Sequence, residues 1–218
     1  MLRSEPTKYG SGILLCGDPI DLECLRGTVH TLVRRPHLDG ILGEYVLSLA
    51  YDVRKAYEGC RDRVKVASDT GSRVTYLGVK IPWPSFLMFL ALLRWAAGFD
   101  SLSKSERSVL LRLEFCAEDA LERFDRIIGT KAVRWLNRFT GVGEDYLPEV
   151  IFHADVSYLS SRSAGIRRFK LLPDSLMLMT PGSPQYRGFR EMMCRRAKEL
   201  NCKPLDLHYY EDYPGFKW

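Results

Sequence analysis

Four histidines set the limit on acid–base and metal chemistry in this chain of 218 residues. His153 and Asp155 form an H-x-D pair, which on a strand projects an imidazole and a carboxylate from one face. Such a pair can share a metal or a proton, but two residues do not make a site. His208 lies in H-Y-Y-E-D, with Glu211 and Asp212 close behind. Together these five residues are the richest supply of ligands for a metal-dependent hydrolase or nuclease. That chemistry needs three or four groups converging from separate elements, and spacing alone brings no such set together. Neither a metal nor a cofactor is therefore expected.

His30 sits beside apolar Val29 near the end of a helical pattern. A half-buried histidine hydrogen-bonded to a carbonyl explains it as well as chemistry does. His37 follows Pro36 in a loop and reads as solvated. In Y-D-V-R-K-A, Asp52 and Lys55 are three apart, and Arg54 has Glu58 four residues on. This is either a set of surface ion pairs, worth little stability, or a polar patch that holds an anion or a partner. The catalytic candidates are thus His30, Asp52, Arg54, His153 and Asp155, and whether the chain catalyses anything stays open. No G-x-x-x-x-G-K-[ST], G-x-G-x-x-G or G-x-S-x-G pattern occurs, which argues against a P-loop, a dinucleotide fingerprint and a nucleophile elbow.

The second chemical feature is charge. The net charge is +5, and the excess is local. Residues 162–198 carry nine cations, namely Arg162, Arg167, Arg168, Lys170, Arg187, Arg190, Arg195, Arg196 and Lys198, against only Asp174 and Glu191. Such a block is either a solvated face or a surface that attracts phosphates. Arg167, Arg168, Arg187, Arg190, Arg195, Arg196 and Lys198 are the nucleic-acid-binding candidates.

Positioning these groups falls to an ordinary globular chain, 46% hydrophobic and 27% charged, long enough to bury a core without staples. None of the six cysteines forms C-x-x-C, and the opening MLRSEPTKYGSG lacks the apolar core of a signal peptide. A cytoplasmic setting is the expectation. The apolar run 86–93 is broken by Arg94, well short of the roughly 20 residues a membrane span needs. It reads as a buried helix over 83–98, and no membrane role is expected.

The pattern predicts a strand at 12–16. A helix follows to about residue 34, with Asp18 as N-cap and Pro19 at its first position. A second helix spans 42–58 and stops at Gly59. Strands at 63–67 and 73–81 form a hairpin with one face buried, and Pro82-Trp83-Pro84 turns into the apolar helix. A long helix starts after Ser103, whose spacing to Glu106 is that of a capping box, and keeps its period to Gly129. A shorter helix covers 131–139. Residues 150–156 and 167–172 read as strands, 176–179 as a buried turn or short strand, 184–200 as the last helix and 205–209 as a last strand. The sum is one α+β domain over 1–218, helix-rich, with a small mixed or antiparallel sheet and a central buried apolar helix.

Several segments resemble an uncharacterised bacterial domain-of-unknown-function family. The resemblance rests on G-I-L-L-C-G-D-P-I-D-L followed by His30, on L-A-Y-D-V-R-K-A-Y-E-G-C-R, on the Trp83-Pro84 helix entry, and on the acidic and aromatic tail. It covers mainly the first hundred and last thirty residues. Where such families pair a second histidine after the arginine of Y-D-V-R, this chain has Lys55, which weakens the case for a histidine site there. The resemblance implies a bacterial or mobile-element origin and carries no activity.

The expected function is a non-catalytic accessory or interaction protein of a bacterial intracellular complex, with defence or mobile elements as one setting. A protein partner or a homo-oligomer would cover an exposed part of the apolar helix or the aromatic tail (Tyr209, Tyr210, Tyr213, Phe216 and Trp218). The alternatives are nucleic-acid binding through 162–198 and the metal-dependent hydrolase or nuclease.

Overall fold

The structure is a computed structural model that describes residues 1–34, 37–38, 40–67, 73–99, 101–140, 142, 146–203, 206–207 and 212–218. It opens on a hairpin of β1 (Arg3–Pro6) and β2 (Gly12–Gly17). β1 was not expected. Its polar sequence hides the fact that the strand is held by its backbone and small side chains. Ser4 donates to Cys116 O at 2.8 Å, and Arg112 and Arg123 donate to the carbonyls of Leu2 and Ser4.

Asp18 then caps α1 (Pro19–Val33). Its carboxylate accepts from Asp21 N, and the Asp21 carboxylate accepts from Asp18 N, so two orphan donors are satisfied reciprocally. α2 (Gly40–Tyr57) packs along α1 and ends before Gly59, which adopts φ +76°. β3 (Asp62–Ala67) and β4 (Arg73–Pro82) complete an antiparallel sheet of order β1-β2-β4-β3. The β3–β4 hairpin is less buried than its alternation predicts: Val74 is exposed and Val64 half-buried, and only from Gly78 onward does β4 enter the core. Gly12 lies directly across from Pro82, and a Cβ there would come within 1.9 Å of Ile81 O. Close approach at this point lets β2 sit tight against the strand that leads into the core.

That strand feeds α3 (Trp83–Ala97). Every residue from Trp83 to Leu93 is buried, by β2 and β4 and by helices on the remaining sides. The apolar run is therefore covered within the chain rather than left exposed for a second subunit. Arg94 ends the run by pairing with Glu114 at 3.3 Å and donating to Asn137 at 2.6 Å. No helix among the described residues is long and apolar enough to cross a membrane.

α4 (Lys104–Phe124) begins with the expected capping box of Ser103 and Glu106. Ser103→Ala is expected to lower stability by about 1 kcal/mol, measured by urea unfolding. The helical period to Gly129 conceals a break. Asp125 is at once the C-cap of α4 and the N-cap of α5 (Arg126–Leu136), its carboxylate accepting from Ile128 N at 2.8 Å. The shorter helix therefore starts at Arg126 rather than at 131.

The next region differs most from expectation. Residues 150–156 are not a strand but the middle of α6 (Leu147–Ser160). The strand expected at 167–172 is instead α7 (Ile166–Phe169) and the start of α8 (Leu172–Leu178), which also absorbs most of 176–179. Apolar runs of four to eight residues do not distinguish a strand from a buried helix. Here Pro148 and Pro173, each in the first turn of a helix, are the start signals that decide it. α9 (Pro184–Glu199) begins as expected, capped by Ser183. The strand expected at 205–209 falls largely outside the described residues.

Candidate functional sites

Two places in this fold gather polar chemistry. The first lies where β4 becomes α3. The N-cap position of α3 is Pro82, whose side chain cannot accept a hydrogen bond, so the helix begins with no cap of its own. Asp155, reaching across from α6, supplies it. Its Oδ1 accepts from Ser85 N at 3.0 Å, and its Oδ2 accepts from both Ser85 Oγ and the Tyr213 hydroxyl, the latter at 3.0 Å. Asp155 is only 1% exposed. Burial pushes its carboxyl up to about 6, outweighing the opposite pull of the Ser85 and Tyr213 hydrogen bonds. Burial and the neighbouring Asp155 push the Tyr213 phenol far up as well, so it remains a donor. Half of the Tyr213 surface still faces solvent while its hydroxyl points inward.

Above this carboxylate is a cleft of about 270 Å³ walled by Tyr45, Asp52, Lys80, Phe152 and Tyr213. It continues into a shallower space beside Arg61, Asp62, Phe216 and Trp218. The charges here cancel: Arg61 pairs with Asp52 at 2.6 Å and Lys80 with Asp62 at 2.7 Å. The expected Asp52–Lys55 pair does not form, because Lys55 takes Glu58 at 2.9 Å. Arg54 reaches the same Glu58 at 3.7 Å, as its spacing predicts, and lies over the Tyr51 ring. Tail aromatics expected to be exposed are partly packed, Tyr213 against Phe152 and Phe216 against Trp218.

The second place is a groove of about 570 Å³ between α5 and the turn that follows α8. Lys131 and Arg134 on α5 and Arg138 just past its end line one side, with Trp135 and Phe139 as the floor. Thr180, Pro181 and Gly182 form the other side. Trp135 Nε1 donates to Thr180 Oγ1 at 2.7 Å, which fixes the indole plane, and the Phe139 ring lies 5.2 Å away at 44°. Among the described residues no carboxylate pairs with Lys131, Arg134 or Arg138. Cations near a helix C-terminus are favoured by the dipole, which accounts for Arg134 and Arg138 individually but not for an aromatic-floored concavity beside them.

The candidate catalytic residues do not converge. On a helix, His153 and Asp155 point to different sides, so the H-x-D pair expected on one strand face is split. Asp155 faces α3, whereas the His153 ring packs 5.2 Å from Phe189 of α9. His30 lines neither place. Burial, then Arg26 and Arg34, hold its imidazole below the usual range. Only Asp52 and Asp155 share a cleft. His208 and Glu211 lie outside the described residues, and among those described no three metal-ligating side chains cluster.

The basic segment is also divided. Arg167, Arg187, Arg190, Arg195, Arg196 and Lys198 are exposed, and Arg196 pairs with Glu199 at 2.8 Å. Arg168 differs from them in being 5% exposed and turned inward. It donates to Ser11 Oγ at 2.6 Å, to Ser161 O at 3.1 Å, and at longer range to Leu159 O and Lys217 O. Its guanidinium is committed to the interior rather than to the exposed basic face. The α5 groove was missed, although K-x-x-R-W-x-x-R-F interleaves cations and aromatics at helical spacing. Its three cations are outnumbered by the nine of residues 162–198, so net charge along the chain points away from it.

These features define a helix-rich α+β domain with an antiparallel sheet, a central apolar helix capped by a buried carboxylate, and a separate cationic groove. The chain belongs to a family described as a domain of unknown function (DUF6904), whose family model matches residues 2–218. Comparison with curated proteins and with solved structures gives no match.

Proposed function

We propose that this chain works by binding rather than by catalysis, and that the groove between α5 and α8 receives the anionic groups of its partner. The observation that carries this reading is the set of Lys131, Arg134 and Arg138, which no carboxylate pairs among the described residues, beside the aromatic floor of Trp135 and Phe139. The contrast with the other polar site supports it. Both oxygens of Asp155 are taken by Ser85 and Tyr213, which makes that carboxylate a helix cap rather than a general base. An interaction role was expected from the apolar helix. With the apolar run of α3 buried, the surface that serves that role is the groove beside α5.

Retention on immobilised heparin, a generic polyanion, tests the site. The triple variant Lys131→Gln, Arg134→Gln, Arg138→Gln is expected to bind at least about tenfold more weakly, with a flatter salt dependence. Arg195→Gln with Lys198→Gln on α9 is expected to change retention little. The reverse pattern would move the surface to residues 162–198, and equal retention of all three proteins would remove the proposal.

A further inference from the structure

Resting on the reading of the α5 groove as an anion site, we infer that its occupant is single-stranded nucleic acid, with an unpaired base stacked on Trp135 and the neighbouring phosphates held by Lys131, Arg134 and Arg138. A site for a bare anion needs cations and backbone donors and has no use for an apolar floor. This groove is floored by two aromatic rings, with Met177 and Pro181 beside them. Sequence-tolerant single-strand sites combine those two components, a cationic edge that follows the backbone and an aromatic face on which a base stacks.

The geometry favours a single strand over the alternatives. Lys131 to Arg138 span about 10 Å along the helix axis, the length of a short run of phosphates spaced roughly 3.4 Å or more apart along one strand. A volume of about 570 Å³ accommodates a splayed nucleotide. A duplex would keep its bases paired and stacked on one another, with none free to lie on the Trp135 ring. An acidic peptide would satisfy the cations but leave the indole face uncovered. Trp135 is already oriented by its bond to Thr180, and Thr180 Oγ1 itself donates to Leu176 O, so the platform is set before a base arrives. Among the described residues no carboxylate or amide side chain lines the groove to read a base edge, and its cations are taken by phosphates, so discrimination among bases is expected to be small.

The test uses fluorescence anisotropy with a labelled oligo(dT) of about twelve nucleotides, a length within the range of single-strand sites. A self-complementary duplex, inorganic polyphosphate and poly-glutamate serve as competitors. Oligo(dT) is expected to bind with log K falling against log salt at a slope of about −2, as three phosphate contacts give. The duplex and poly-glutamate should compete at least about tenfold less well. Trp135→Leu is expected to weaken binding about tenfold, and Trp135→Phe, which keeps a ring, to retain most of it. Phe139→Leu gives a second reading should Trp135→Leu fold poorly. If polyphosphate and oligo(dT) bind alike and both ring variants behave as wild type, the anion site stands and the nucleic-acid inference falls. Tighter binding of duplex or poly-glutamate also overturns it. If nothing binds, both readings fall.

Discussion

Asp155→Ala is expected to destabilise the protein by about 2–4 kcal/mol, while Asp155→Asn matches or exceeds wild-type stability at pH 7. Alanine would leave the Ser85 amide, the Ser85 hydroxyl and the Tyr213 hydroxyl without their acceptor, and Pro82 provides no substitute cap for α3. Asparagine keeps the shape and one acceptor oxygen for Ser85 N. Its amide donates, and the two hydroxyls can rotate to accept. What it removes is a buried charge. Because the folded-state carboxyl is raised from 3.8 to about 6, the folded protein holds a proton that the unfolded chain has already released. The wild type therefore loses stability relative to Asp155→Asn as pH rises from about 4 to about 6, by up to about 3 kcal/mol, and the difference is constant above that window. Urea unfolding of both proteins at several pH values measures this directly. Parallel curves across the window would show that the carboxyl is not desolvated as described.

Arg168→Ala is expected to cost about 3 kcal/mol, whereas Arg195→Ala should remain within about 0.5 kcal/mol of wild type. Both belong to the same basic segment, and only burial separates them. Arg168 has no carboxylate partner among the described residues. Its charge is balanced by oxygen dipoles, including the Leu159 and Ser161 carbonyls at the C-terminal end of α6, where a cation is favoured. It also donates to Ser11, whose hydroxyl in turn donates to Lys217 O, so one side chain joins the start of β2, the end of α6 and the C-terminal segment. Arg168→Lys would keep the charge and lose the fork that spans these acceptors, and an intermediate loss is expected. Thermal unfolding of the three variants orders them. Equal melting temperatures for the Arg168 and Arg195 variants would show that the staple is idle.

The contrast between Arg168 and Arg195 shows what a sequence conveys and what it does not. Elements with strong local punctuation were legible: Asp18-Pro19, Ser103 with Glu106, Gly59, Ser183-Pro184 and the apolar run of α3 all act within a turn or two of themselves. Elements whose identity depends on distant neighbours were not. β1 is a strand because β2 and α4 receive it, and α6 is a helix although its apolar residues fit either periodicity. The same divide runs through the sites. Asp155 reads in the sequence only as half of an H-x-D pair, because its partners are 70 and 58 residues away. Its work, capping the helix that opens on Pro82, appears only once α6 lies against α3. Cation counting cannot separate an inward guanidinium from an outward one.

The doubly used Asp125 bears on how the α5 groove would bind. With one residue closing α4 and opening α5, no slack chain intervenes, and the N-terminus of α5 is pinned to a helix that is itself tied to β1. The far end is anchored by Asn137 to Arg94. A ligand entering the groove would meet a floor already assembled. The ordering cost of association is then confined to the long side chains of Lys131, Arg134 and Arg138, about 0.5–1.5 kcal/mol each. Binding should leave backbone amide exchange along α5 almost unchanged while quenching the motion of three side-chain tips.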